Sequence, residues 1–435
     1  MYKILNVYII ENDSIMSNIK IHINELGPVK DCDLILAPVM LFTGKSNLGK
    51  SYVNFLAYYV YSLFSSHRLD AFIKNKIGVD IERSKNITVN IKSDELRLWM
   101  EKDVKTFFQY LLGYKDIPCQ IQFSFNNIAD VFRFEYIEAE LPTNFSNFYP
   151  ATLSLSGNVI SFIVPKGYKR YLLLQNMCQL LGDVLFGKKI FRAFLFPPGR
   201  ASLLSGNFSN QSKSSRLGLY DIFLHDNDEI NLHVLREQGT ASDYIISQSH
   251  NLINGELSTD KDGIYLVLDN GNQIPLDAAA SSVKELAPLL LWMQGEFVYS
   301  QSVCIEEPEA HLHPEMQIAV ADLLAACINK GAYMQITTHS DYFMQRVNQL
   351  LKLGYLREKD VEVFNKLCED YSYNNRCYLN PKKVNAYYFY AENGCTKIRL
   401  LEIGEQGIPM STFFDAVDQL NAIDEVIDNV FENIK

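Results

Sequence analysis

The sequence predicts an α/β fold carrying an inserted α+β region, and three observations lead to it. A glycine-rich turn, Gly44-Lys45-Ser46-Asn47-Leu48-Gly49-Lys50-Ser51, stands between the short apolar run LFT and the helix-spaced segment YVNFLAYYVYSLFSS. A second apolar, β-branched run ends in the adjacent carboxylates Glu306 and Glu307. Between the two, residues 71–190 change character, with alternating stretches such as NITVNIK and IQFSF and helical pieces near Leu96 to Leu112. At 435 residues the chain exceeds the roughly 250 to 300 residues at which single cores stop growing. The expected division is an N-terminal lobe at 1–70, an inserted α+β region at 71–190 and a C-terminal lobe at 191–435.

Taken in order, NIKIHINELGPVKDCDLIL alternates apolar and polar residues on both sides of Gly27-Pro28 and reads as a hairpin leading into a buried strand. The glycine-rich turn follows, then the helix from Tyr52. After the inserted region, Tyr171 to Phe186 is helical in spacing, KIFRAFLF is a strand, and PPGR (Pro197 to Arg200) is a turn. A Ser-rich loop at 202–215 precedes a largely helical segment to about Asn251. GIYLVLDNGNQIPL is a hairpin turning at Asn270-Gly271, because both residues tolerate the left-handed backbone that tight hairpin turns need. Helix, strand, helix and strand then alternate through KELAPLLLWM, SVCIEE and AYMQITTH. The segment VNAYYFYAENGCTKIRLLEI reads as another hairpin, and the last twenty or so residues as an acidic amphipathic helix.

Composition excludes several classes. A hydrophobic fraction of 48% and a charged fraction of 21% are those of a folded globular protein rather than a disordered or fibrous one. A net charge of -11 provides no global basic field for nucleic acid, so any DNA contact must be local. The start, MYKILNVYIIENDSIM, lacks a secretory pattern, and no apolar run nears the ~18 residues of a membrane span. A cytoplasmic protein without membrane contact is expected. Cys32, Cys119, Cys178, Cys304, Cys327, Cys368, Cys377 and Cys395 form no C-x-x-C pair, which suits reduced, buried thiols better than zinc ligands or disulfides.

The chemistry resides in three places. Gly44 to Ser51 fits G-x-x-x-x-G-K-[ST] at every fixed position. Glycines let successive backbone N–H groups curl toward phosphate oxygens, and the following helix N-terminus adds partial positive charge. Lys50 would reach the β and γ phosphates and Ser51 would ligate Mg²⁺. Glu306 and Glu307 end a strand, and two adjacent glutamates alone are usually a solvated pair. Beside a P-loop strand, however, Glu306 is the metal-side carboxylate and Glu307 the candidate base for the attacking water. His339, ending the strand AYMQITTH, is placed to contact a γ phosphate. Arg200, on a rigid turn after a strand, can bind phosphate bidentately or pair with an acidic neighbour. His311 and His313 face apart and make a poor metal pair. The aromatic run Tyr387 to Tyr390 could stack bases but suits hairpin packing better.

In this order the motifs resemble those of ABC-type ATPases of the SMC, RecF and OLD lineage. GKSNLGKS resembles the Walker A motif, CIEEPEAHLHP the Walker B and D-loop, TTHS the H-loop, and NELGPVKDCDL the hairpin that precedes the P-loop. The resemblance implies a mixed sheet flanked by helices, ATP and Mg²⁺ as ligands, Glu307 as catalytic base and His339 as switch histidine. It also implies slow hydrolysis in a composite site, with ATP held between two copies in a homodimer or higher homo-oligomer. The best match to the signature motif, which caps the nucleotide of the opposite subunit, is Ala280-Ser281-Ser282-Val283-Lys284-Glu285. Ser282 would be the trans-capping residue, the alternative being an ordinary helix N-cap. Relatives usually carry glycine where Val283 stands, and aspartate where Glu306 stands.

The compact insertion, the Pro-x-x-Arg element at Arg200 and the spelling EEPEAHLHP most resemble stand-alone ATPase subunits of bacterial anti-phage defence systems of the PARIS or Septu type. The implied function is a sensor or scaffold controlling a separately encoded effector nuclease of Toprim or HNH type, with a phage protein as trigger. LLEIGEQGIP offers Glu402 and Glu405 without a D-x-D strand end, so no fused nuclease is expected. The alternative is a RecF/SMC-like DNA-repair ATPase that binds DNA directly.

Overall fold

Alternate residues of one central strand face two different cores, and this sets the layers of the molecule. The computed structural model describes residues 17–139, 148–204, 217–236, 243–260, 263–294, 298–410 and 421–427. The chain enters as the hairpin β1 (Ile19–Leu26) and β2 (Val29–Ile35), antiparallel with Leu26 opposite Val29. The strand β3 (Val39–Gly44) and helix α1 (Lys50–Leu63) follow, with the glycine-rich turn between them. Met40 and Phe42 of β3 join one apolar cluster, and Val39 and Leu41 join another on the opposite face. A strand buried on both faces needs a continuous apolar run, which VMLF supplies.

The next interval holds α2 (Asp70–Lys74), β4 (Asn86–Lys92), α3 (Ser93–Leu112), β5 (Cys119–Phe125), β6 (Val131–Glu138), β7 (Phe148–Leu155), β8 (Asn158–Pro165) and α4 (Lys169–Phe186). The chain then forms β9 (Arg192–Phe196), α5 (Arg200–Leu204), α6 (Gly218–Arg236), α7 (Asp243–Ile253), β10 (Glu256–Thr259), β11 (Ile264–Val267), β12 (Gln273–Pro275) and α8 (Ser281–Gln294). It finishes with β13 (Gln301–Glu306), α9 (Pro314–Asn329), β14 (Tyr333–Thr337), α10 (Asp341–Lys359), α11 (Val361–Asp370), β15 (Val384–Glu392) and β16 (Cys395–Leu401).

These strands make a nine-stranded mixed sheet in the order β5-β1-β2-β16-β15-β3-β14-β13-β9, a four-stranded sheet β4-β6-β7-β8, and a three-stranded sheet β10-β11-β12. From β15 to β9 the large sheet is parallel throughout. Helices cover it on both faces, so the fold is the α/β architecture expected. The interval 71–190 is joined closely to the rest of the fold. Its strand β5 pairs with β1 at the edge of the large sheet. Ile87, Val89, Phe132 and Leu153 of the small sheet share one apolar cluster with Ile21, Phe42 and Leu56. Continuous burial across the boundary argues against a domain of its own. The C-terminal hairpin likewise inserts β15 and β16 between β3 and β2. Tyr387 and Phe389 are buried there, and Tyr388 stacks on Tyr390. This is the packing role expected for that aromatic run.

The Ser-rich loop falls largely outside the described residues, and of the expected terminal helix only residues 421–427 are described, as helix. Among the described residues no helix is long and apolar enough to cross a membrane, and none of the eight cysteines is in a disulfide.

Candidate functional site

The parallel strands β3, β14 and β13 lie side by side, with Thr337 opposite both Phe42 and Glu306. Their carboxyl ends therefore open at one edge of the sheet, where ligands bind in open α/β folds. The turn after β3 wraps this edge. Gly44 and Gly49 adopt φ of 127° and 83°, and Asn47 has φ 62°, conformations that side chains rarely permit. A Cβ on Gly44 would lie 2.4 Å from the carbonyl oxygen of Phe389, and one on Gly49 would lie 2.9 Å from the ring of Pro28. Both glycines are thus required by conformation and by space. Gly49 immediately precedes α1, so the amides of Lys50 and Ser51 begin a helix whose N-terminus favours an anion.

Lys45, Ser46 and Asn47 are exposed on the loop, and Leu48 packs partly against the core. The Lys50 ammonium donates to the carbonyls of Gly44 at 3.0 Å and Lys45 at 2.8 Å, so it lies across the turn. Burial pulls its pKa down to about 8, although Glu306 and Glu307 favour the charged form.

Glu306 ends β13 beneath α1. The Ser51 hydroxyl donates to one carboxylate oxygen and the Asn54 amide donates to the other at 2.7 Å. Burial raises its pKa. Ser51 and Glu306 provide the hard oxygen donors, with negative charge, that Mg²⁺ takes, so the residues fit that ion. Glu307 follows with φ 46°, a backbone rarely adopted by residues bearing a side chain. Its amide donates to the Thr337 carbonyl at 3.1 Å. Its half-exposed carboxylate lies 4.0 Å from His339 Nε2. Burial lowers the His339 pKa, and the nearby Lys50 charge lowers it further.

A third acid of the same segment holds this geometry together. Glu309 is buried, and one of its oxygens accepts from the Thr338 hydroxyl at 2.7 Å and from the His339 amide at 2.8 Å. It ties the turn after β13 to the turn after β14. The sequence motifs give no role to Glu309 or Asn54, and include Glu285 only as the last residue of the signature match. A polar residue inside the apolar stretch YVNFL, one turn beyond Lys50, was the available signal for Asn54. For Glu309 the signal was a third acid in EEPEA.

The structure thus brings together Gly44 to Ser51, Glu306, Glu307 and His339. Arg200 is placed otherwise than as a phosphate ligand. It is 1% exposed, and its guanidinium donates to the carbonyls of Pro197, Glu285, Glu306 and Glu307 while pairing with the Glu285 carboxylate. An arginine so enclosed has no free edge to offer a nucleotide of its own chain, so the acidic-neighbour alternative holds. Ser282 sits in the first turn of α8, and among the described residues no hydrogen bond joins it to the P-loop. Val283, expected to limit close approach at this helix end, is buried among the apolar residues of one core. Its branched side chain therefore turns inward. His311 and His313 are exposed on either side of the buried Leu312. Among the described residues no group of three or more His, Cys, Asp or Glu side chains is arranged to hold a metal.

Residues 204–344 match the family described as AAA_15, an AAA ATPase domain. The matched stretch is less than half of the chain. It contains α8, Glu306, Glu307 and His339, and leaves the P-loop outside. No curated protein matches the chain. Solved structures that resemble it include an SMC head bound to the C-winged helix domain of ScpA, at 11% identity and TM-score 0.37, covering 89% of this chain and 98% of that one. Another is an SMC head domain from Thermotoga maritima, at 11% identity and TM-score 0.32, with coverages of 88% and 98%. A third is an Smc head domain with an extended coiled coil bound to the C-terminal domain of ScpA derived from Pyrococcus furiosus, at 11% identity and TM-score 0.33, with coverages of 94% and 100%.

Proposed function

We propose that this chain binds ATP with Mg²⁺ and hydrolyses it slowly in a site completed by a second copy, and that it serves as the ATPase subunit of an anti-phage defence complex. The observation that carries the ATPase reading is the meeting, at one sheet edge, of a P-loop cradle, a buried carboxylate held by the P-loop serine, and a Glu307–His339 pair. The family match over residues 204–344, the stretch that carries Glu306, Glu307 and His339, supports an ATPase domain. Mg²⁺ bound at Ser51 and Glu306 would neutralise charge on the phosphates. The loop amides and Lys50 bind the phosphate chain, Glu307 accepts a proton from the attacking water, and His339 orients the γ phosphate. Ser282, at the start of α8, caps the nucleotide of the other copy.

Control of a separately encoded Toprim or HNH nuclease, triggered by a phage protein, is supported by the resemblance in the spelling of the motifs. Phosphate release by the wild type, Lys50→Ala and Glu307→Gln tests the enzymatic claim. Loss of release in both variants is expected, and equal background in all three sinks it. Phage plating on cells expressing the chain with its neighbouring genes tests the cellular role. Protection that survives Lys50→Ala would argue against it.

A further inference from the structure

Arg200 and Glu285 are buried to the same degree, each 1% exposed, and neither can reach a nucleotide of its own chain. Their arrangement links two parts of the proposed site. Arg200 Nε lies 3.3 Å from Glu285 Oε2 and donates to the Glu285 carbonyl at 3.2 Å. Nη1 donates to the carbonyls of Pro197 at 3.1 Å and Glu306 at 2.7 Å, and Nη2 donates to that of Glu307 at 3.3 Å. The other Glu285 oxygen accepts from the Ala201 amide at 3.2 Å. One planar cation thus joins the early turns of α8 to the peptides carrying both acids. Buried ion pairs are weak sources of stability, because desolvation offsets their attraction. Stability alone therefore does not account for this pair.

We propose that Arg200 and Glu285 form a positioning pair that couples the seating of α8 on the second copy's nucleotide to the orientation of Glu307. This rests on reading the site as an ATPase completed in trans. Glu307 holds a left-handed backbone, fixed on one side by its amide on Thr337 and on the other by its carbonyl on Arg200. Ser282 lies one turn before Glu285 on the same helix. A shift of α8 that follows phosphate capture moves Glu285, and with it the guanidinium that sets the Glu307 peptide. The geometry needs a planar group with several donors, which lysine lacks.

Arg200→Lys, Glu285→Gln and the double variant test the proposal, with nucleotide affinity, ATP-dependent assembly, thermal unfolding and phosphate release measured on each. Nucleotide affinity and assembly should stay within about twofold of wild type while kcat falls about tenfold or more. The double variant should be no slower than Arg200→Lys, because both changes disable one device. The decisive readout is kcat against protein concentration. Wild-type hydrolysis should accelerate as copies associate, and that of the assembled variants should not. Unimpaired kcat in Arg200→Lys, or single losses that multiply in the double variant, would overturn the pairing. So would failure of both single variants to fold, which would make the pair purely structural. An inactive wild type refutes the ATPase reading and this proposal with it, whereas an active wild type beside an equally active Arg200→Lys refutes only the proposal.

Discussion

Lys50 carries its charge against an unfavourable environment, and that gives nucleotide binding a pH dependence. Burial brings its pKa down to about 8, from the ~10.4 of a free lysine. Above that value the uncomplexed lysine is mostly neutral, whereas a phosphate beside it restores the charged form. Affinity for ATP should therefore decline as pH rises through about 8, with uptake of a proton on binding. Calorimetry in buffers of differing ionisation enthalpy reads this directly, and an affinity flat between pH 7 and 9.5 would contradict it. At Glu307, replacement by Gln keeps the size and removes the base, so phosphate release should fall by about 10²-fold or more while ATP still binds. The P-loop residues were legible because their chemistry is written in eight consecutive positions. The partners of Arg200 were not, since Glu285 and Glu306 lie 85 and 106 positions away. No local pattern records such a pairing.

Among elements, α10 presents a contest whose outcome depends on packing. Gly354 lies inside this helix, where alanine is ordinarily favoured by about 1 kcal/mol. A Cβ there, however, would stand 1.8 Å from the carbonyl oxygen of Leu379 and 2.7 Å from its carbon. This carbonyl is backbone, in a residue whose amide donates to the Leu350 carbonyl at 2.9 Å, and it cannot swing aside as a flexible side chain does. Overpacking should win, and Gly354→Ala should lower stability by about 2 kcal/mol. Thermal unfolding measures this, and a raised melting temperature would show that the contact yields. Element type was readable where periodicity was strong, as in the first hairpin, α1, β13 and β14. Sheet membership was not. CQIQFSF alternates in the same way whether it borders the small sheet or, as β5 does, pairs with β1 in the large one. Strand alternation reports one buried face and says nothing about which neighbour supplies the hydrogen bonds.

At the scale of the whole molecule, the net charge of -11 separates the two readings of what the chain assembles with. Two acidic copies repel, and bound ATP adds further negative charge between them. Screening shortens the range of that repulsion from about 30 Å at 0.01 M salt to about 10 Å at 0.1 M. ATP-dependent assembly should therefore strengthen as salt rises from about 0.02 to 0.2 M. Glu307→Gln should trap the assembled state, and Lys50→Ala should remain unassembled. Binding of DNA runs the other way, because each phosphate contact releases counterions and affinity falls steeply with added salt. Light scattering of the Glu307→Gln variant with ATP and Mg²⁺, set beside a DNA-binding titration over the same salt series, reads both slopes. Assembly that grows with salt while DNA affinity is weak throughout favours an ATPase whose partners are proteins. Strong DNA affinity with a steep negative slope would instead require a local basic strip on this acidic surface and would favour direct action on DNA.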